Sequence, residues 1–151
     1  MIVVAGAGYV GEELVRRLTA AGENCLGLRR SPPQTADPGC PLAACDITDE
    51  GSLRDLSSHL GRVGCLVHCA SSGRRGPDGY RQMFLGATSL LLETLCPGRI
   101  VFTSSTSVYP QTDGRTVDER SEAIGTRETS SILLEAEQLV LAEGGTVARL
   151  S

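Results

Sequence analysis

The sequence predicts an α/β fold: a doubly wound parallel sheet with helices on both faces, forming one domain over residues 1–151. Three observations predict it. Short apolar runs bounded by Gly, Pro or Asp alternate with stretches of helical periodicity. A glycine-rich turn joins the first such run to the first helical stretch. No internal repeat, linker or low-complexity segment interrupts the alternation.

Ile2–Ala5 reads as a buried strand, and residues 9–21 as a helix with Val10, Leu14, Val15 and Leu18 on one face, stopped by Gly22. Residues 24–28 form the second strand, closing a β-α-β unit. The Pro-rich stretch 31–41 is a loop and 42–45 a short third strand. Asp49 caps a helix running to about residue 59, and 64–69 is the fourth strand. After a Gly/Arg loop at 71–79, residues 80–95 form a long helix stopped by Pro97 and Gly98, and 99–103 the fifth strand. Residues 105–126 are a long polar loop, a kind of segment that in a compact domain is usually functional. Residues 130–142 are a helix with Leu133, Leu134, Glu137 and Leu141 at helical spacing, and Thr146–Leu150 is the sixth strand. Right-handed crossovers then give the order 3-2-1-4-5-6.

Composition excludes several functions. A net charge of -4 and a pI near 5.2 argue against a nucleic-acid surface, and the paired arginines at 16/17, 29/30 and 74/75 are separate and local. No apolar stretch approaches the ~20 residues of a membrane span. All 14 basic residues are arginine, which removes any lysine-dependent chemistry. The six cysteines form no C-x2-C pair and show no metal-ligand spacing with His59 or His68, so the expectation is reduced thiols in a cytoplasmic protein without a metal.

Gly6-Ala7-Gly8-Tyr9-Val10-Gly11 has the spacing G-x-G-x-x-G, weak alone but strong here, where it leaves a strand and opens a helix. Gly6 permits the tight turn, Gly8 lets the backbone approach a pyrophosphate, and Gly11 lets helix and strand pack closely. The helix N-terminus adds unpaired N–H groups and the positive end of a dipole. This is the dinucleotide-binding arrangement of the Rossmann fold. Where an NAD-binding chain carries Asp or Glu for the ribose 2′-hydroxyl, this sequence has Arg29-Arg30-Ser31. Guanidinium groups pair bidentately with phosphate, so the expected cofactor is NADP(H), with NAD as the alternative.

With Asp46-Ile47 after the third strand, Cys69-Ala70-Ser71 after the fourth and Ser104-Ser105-Thr106-Ser107-Val108-Tyr109 after the fifth, the chain resembles the extended short-chain dehydrogenase/reductases, the NAD(P)-dependent epimerases and dehydratases, along essentially its whole length. The resemblance implies that Asp46 bonds the adenine amino group and Ile47 packs on its ring. It places Ala70, Ser71 and Ser104 along the cofactor, and Ser105 in the position of the Ser/Thr that bonds the substrate oxygen. The family's acid/base is a Tyr followed four residues later by Lys, whose ammonium lowers the phenol's pKa. That pair is missing: the corresponding positions hold Thr129 and Leu133, as in atypical members of the superfamily. Thr129 is left only as a proton relay, with Asp118 or Glu119 as candidate acids nearby. Family members also continue past the sixth strand into a substrate-binding region that these residues do not contain.

Two functions of different class follow. One is an NADP(H)-dependent epimerase/dehydratase-like oxidoreductase acting on a sugar nucleotide or small carbonyl substrate through a non-standard site. The other is a non-catalytic NADP(H)-binding or redox-sensing module. A third reading is a domain kept for homo-oligomer assembly through helices 80–95 and 130–142. A Cys69 nucleophile is disfavoured, because neighbouring His68 would point to the opposite face of its strand.

Overall fold

The computed structural model describes residues 1–35, 37–73 and 76–151; Ala36 and the arginines of the Gly/Arg loop, Arg74 and Arg75, lie outside the described residues. Its centre is a six-stranded, all-parallel sheet in the order β3-β2-β1-β4-β5-β6. The strands are β1 (Ile2–Ala5), β2 (Cys25–Arg29), β3 (Leu42–Ala44), β4 (Cys65–His68), β5 (Ile100–Ser105) and β6 (Thr146–Leu150). β1 is central: Ala5 lies in register with Leu28 of β2 on one side and with His68 of β4 on the other. The crossover therefore reverses between β1 and β4, and the crevice beyond their carboxyl ends is where an open α/β sheet binds its ligand.

Helices cover both faces. On one, α1 (Tyr9–Ala20) packs Val15 against Val4 of β1 and Cys25 of β2. On the other, Leu53 of α2 (Glu50–Ser57), Leu91 of α4 (Ala87–Leu95) and Leu133, Ala136 and Val140 of α5 (Glu128–Ala142) close over Val3, Leu66, Ile100 and Phe102. Asp49 does cap α2, its carboxylate accepting from the Ser52 amide at 2.7 Å.

Several boundaries differ from the sequence expectation. Val10 is 47% exposed and Leu141 56% exposed; α5 buries Ile132, Leu133, Ala136, Glu137 and Val140 instead. The helix expected from residue 80 starts earlier, as α3 (Gly76–Tyr80), since Pro77 is well suited to a helix's first turn, where no N–H is missed. It continues through a π-helical segment, Arg81–Gly86, into α4, which ends at Cys96 in the left-handed conformation (φ 41°). β5 runs two residues further than residues 99–103 suggest, so Ser104 and Ser105 are strand residues. Among the described residues no helix is long and apolar enough to cross a membrane, and no group of three His, Cys, Asp or Glu is placed to hold a metal ion.

Candidate functional site

The glycine turn sits at the switch point, and each glycine has a separate physical reason. Gly6 adopts φ +92°, and a Cβ there would meet Ala70 Cα at 2.3 Å. The turn after β1 is thus pressed against the chain leaving β4. Gly11 is buried, and a Cβ on it would lie 2.4 Å from the Gly6 carbonyl oxygen and 3.3 Å from Val4 Cγ1, so it sets how closely α1 approaches the strand. Gly8 is different. It is exposed, its φ of −91° suits any residue, and an added Cβ would meet nothing within 4 Å. Among the described residues packing gives no reason for glycine there; close approach of a ligand would. Gly8 is also the N-cap of α1, and among the described residues no side chain caps that helix, so the amides of its first turn are open to a ligand at the crevice. Open space over an uncapped helix N-terminus fits the pyrophosphate of a dinucleotide. Tyr9, 98% exposed, and Val10 flank the opening.

The Gly6 and Ala7 amides both donate to the Leu28 carbonyl, at 3.0 and 2.7 Å, which brings the end of β2 alongside the turn. Arg29, Arg30 and Ser31 follow directly. Arg30 and Ser31 are exposed, and among the described residues Arg30 makes no ion pair. Arg29 does: its Nη1 lies 3.2 Å from Glu12 Oε2, with both side chains about a third exposed (36% and 31%). Pairs this wet contribute only about 0.2–1 kcal/mol, so Arg29 is held loosely. Sequence reasoning missed Glu12, since nothing in the spacing links helix position 12 to strand position 29.

Beyond β3, Asp46 Oδ1 accepts from both the Thr48 amide (3.0 Å) and the Thr48 hydroxyl (2.7 Å), and Ile47 is buried in the main core at 5% exposure. Beyond β4, Ser71 is exposed and its Oγ accepts from the Gly73 amide at 3.2 Å. His68 and Cys69 do point to opposite faces. The His68 ring packs with Phe84 and Phe102 at centroid distances of 6.4 and 5.4 Å, whereas Cys69 joins the cluster under α1. Burial pushes the Cys69 thiol up, keeping it protonated and a poor nucleophile at neutral pH.

At the end of β5, Ser104 faces the core at 6% exposure, with a buried hydroxyl oxygen that has no partner among the described residues. Ser105, on the opposite face, accepts from the Ser107 amide at 3.1 Å, which leaves its hydroxyl hydrogen as the group with which it can donate. The 3-10 turn Thr106–Val108 follows, and buried Ser130 donates to the Ser107 carbonyl at 2.9 Å. That bond brings the first turn of α5, including half-buried Thr129, beside the segment that follows Ser105. Leu133, where the resemblance implies a lysine, is 2% exposed in the core.

Tyr109 is fully engaged. It donates to the Asp118 carbonyl (2.8 Å), accepts from Arg149 Nη1 (3.0 Å), and its ring lies 5.0 Å from the Arg149 guanidinium carbon. Arg149 in turn pairs with Glu137, 3% exposed, at 2.6 Å. This network fastens the long loop to α5 and β6. The Asp118 carboxylate accepts from the Ser121 hydroxyl and from the Arg120 and Ser121 amides, bonds that hold it below the usual carboxylate range. It is ionised at neutral pH and is no proton donor.

The profile of the NAD-dependent epimerase/dehydratase family matches residues 1–132. The chain belongs to this family. Among epimerase/dehydratase structures, a protein from Methylobacillus flagellatus described as an NAD-dependent epimerase/dehydratase is 33% identical, with a TM-score of 0.77 over 99% of this chain and 53% of its own. One from Burkholderia cenocepacia J2315 described as an epimerase is 25% identical, with a TM-score of 0.77 over 98% and 52%. The UDP-glucose 4-epimerase of Thermus thermophilus, solved in complex with NAD, is 17% identical with a TM-score of 0.82 over 99% and 54%, a likeness of fold. The chain thus spans about half the length of these solved relatives. No curated protein matches it. The family's cofactor is a nicotinamide dinucleotide.

Proposed function

We propose that residues 1–151 form the NADP(H)-binding domain of an epimerase/dehydratase-like oxidoreductase whose substrate is a sugar nucleotide or a small carbonyl compound. Gly8 carries the cofactor half of the reading: it has no packing reason to be glycine, and it stands over an uncapped helix N-terminus. The amides of Tyr9 and Val10 would hold the pyrophosphate, with Gly6 and Gly11 fixing the turn. Asp46 would meet the adenine and Ala70 and Ser71 would line the way to the nicotinamide end, while Ile47 and Ser104, at 5% and 6% exposure, leave little side chain for a cofactor to touch. Arg29 and Arg30, with Ser31, favour a 2′-phosphate over a 2′-hydroxyl, because a guanidinium meets phosphate with paired donors and a fixed charge. When bound, the cofactor supplies a hydride acceptor or donor.

The chain's own contribution at the substrate is Ser105, donating its hydroxyl hydrogen to a carbonyl or alkoxide oxygen at the end of β5. Thr129 in the adjacent first turn of α5 would relay a proton without acting as its source, since an alcohol is far too weak an acid to replace a tuned phenol. A non-catalytic NADP(H)-responsive module is the second reading. It is favoured by buried Leu133, which supplies no cation, and by Tyr109, whose hydroxyl is committed to Arg149 and Asp118.

Titration with NADPH and NADH, followed by oxidation assays on sugar nucleotides and small aldehydes and ketones, tests both. NADPH is expected to bind about fivefold tighter or better, a gap of roughly 1 kcal/mol; equal affinities refute the NADP(H) assignment. Turnover lost in Ser105→Ala with binding intact supports the enzyme, whereas tight binding with no turnover across the panel supports the module.

A further inference from the structure

The cationic end of β2 already holds a carboxylate. Glu12 Oε2 lies 3.2 Å from Arg29 Nη1, Glu12 Oε1 lies 3.0 Å from Arg16 Nη2, and Arg16 Nη1 lies 2.7 Å from Asp37 Oδ2. Charges of alternating sign thus run from the end of β2, across the first turns of α1, to the loop that leads into β3. The glycine turn explains none of this, since a residue at position 12 needs no charge for helix and strand to pack. Resting on the NADP(H) reading above, we infer that Glu12 is a specificity-determining residue, a competing counter-ion for Arg29 that sets how tightly the domain holds a 2′-phosphorylated dinucleotide.

One guanidinium cannot serve two anions at full strength. A phosphate that reaches Arg29 must either displace Glu12 or share the cation with a carboxylate of like charge close by. A 2′-hydroxyl meets neither obstacle, so Glu12 acts against NADPH and is indifferent to NADH. Displacement is feasible because Glu12 keeps a second cation: Arg16 neutralises it when Arg29 turns away. Exposed Arg30, without an ion pair among the described residues, is the group an arriving phosphate meets first. Glu12 thereby trades affinity for easy exchange of the cofactor.

The test is the dissociation constants of NADPH and NADH, at low ionic strength, for the full chain and for Glu12→Gln, Arg16→Ala and the double variant. Glu12→Gln is expected to tighten NADPH by about threefold or more while NADH stays within about twofold. Arg16→Ala, which leaves Glu12 with Arg29 alone, is expected to weaken NADPH by at least about twofold, an effect that shrinks once Glu12 is also neutralised. NADH binding reports that each variant is folded. If the unmodified chain fails to prefer NADPH, the NADP(H) reading falls and this inference with it. If the chain prefers NADPH but Glu12→Gln leaves its affinity unchanged or weaker, or shifts both cofactors alike, the inference alone is overturned.

Discussion

Gly8 and Gly11 sit three residues apart and have opposite reasons to lack a side chain, which makes them a controlled pair. Gly11→Ala forces a Cβ to 2.4 Å from a backbone oxygen, an overpacking expected to cost about 3 kcal/mol. Gly8→Ala puts its Cβ in open space and costs only the difference between two residues at an N-cap, about 1 kcal/mol or less. Yet it is expected to weaken dinucleotide binding by about tenfold or more, because the added methyl stands where the pyrophosphate must approach the backbone. Urea denaturation and cofactor titration on both variants check this, and Gly8→Ala with undiminished affinity would remove the ligand explanation. His68 supports a second prediction at this scale. Thr88 donates to the Phe84 carbonyl at 2.7 Å and so accepts from His68 Nδ1 at 3.0 Å, leaving a buried Nε2 without a partner among the described residues. Burial lowers the imidazole pKa from 6.5 to about 4. The unfolded chain therefore takes up a proton below pH 6.5 that the folded chain refuses until about pH 4. Stability is full above 6.5, falls through that window and levels off below it, by about 3 kcal/mol in all at 1.36 kcal/mol per unit. His68→Leu should flatten this part of the curve relative to the parent, and two parallel curves would show that His68 does not titrate there.

Among the elements, α5, β6 and the long loop depend on one buried ion pair. Glu137 is 3% exposed and Arg149 23%, and the guanidinium makes three hydrogen bonds to the carboxylate as well as one to Tyr109. Arg149→Ala would strand an uncompensated carboxylate in the core and is expected to cost about 3 kcal/mol, whereas replacing both partners by leucine should cost far less. Denaturant midpoints of the two variants decide it, and equal losses would mean that the packing, not the charge, matters. This network shows where the sequence stopped being legible. The glycine turn and the Asp49 cap follow from local spacing, and the strand order from the fold class and crossover handedness that the alternation implies, so all three were readable. Glu137 was readable only as one position of a helical stripe, because its partner Arg149 lies on the next strand and Tyr109, which that arginine also bonds, lies across a polar loop. Val10 and Leu141 fit the apolar period of their helices but are exposed, and periodicity carries no information on which positions of a stripe a neighbour covers. The helical start at Gly76 was hidden because Gly and Pro mark loops and helix first turns alike. The Glu12–Arg29 pair had no signature, although Glu12–Arg16 has the helical i, i+4 spacing.

For the whole molecule, the proposed site is divided among elements that converge only in the fold: the turn after β1, the arginines at the end of β2, Asp46 after β3, the chain after β4 and Ser105 ending β5. A ligand lying across the β1/β4 switch point touches several parallel strands at once, and none of those contacts exists in the unfolded chain. Binding must then stabilise the sheet as a unit, by RT ln(1 + [L]/Kd), about 2.7 kcal/mol at a hundredfold excess over Kd. In a domain of this size each kcal/mol moves the melting temperature by about 2–4 °C, so saturating NADPH is expected to raise it by roughly 5–10 °C. At equal concentration NADH should shift it less, by the margin its weaker affinity sets. Gly8→Ala, with its fold intact, should lose about half of the shift or more, which separates binding at the glycine turn from nonspecific stabilisation by a polyanion. Inorganic pyrophosphate at matched ionic strength is the control for charge alone. If millimolar NADPH leaves the melting curve unmoved, or the Gly8→Ala variant shifts as far as the parent, the dinucleotide does not sit across this switch point.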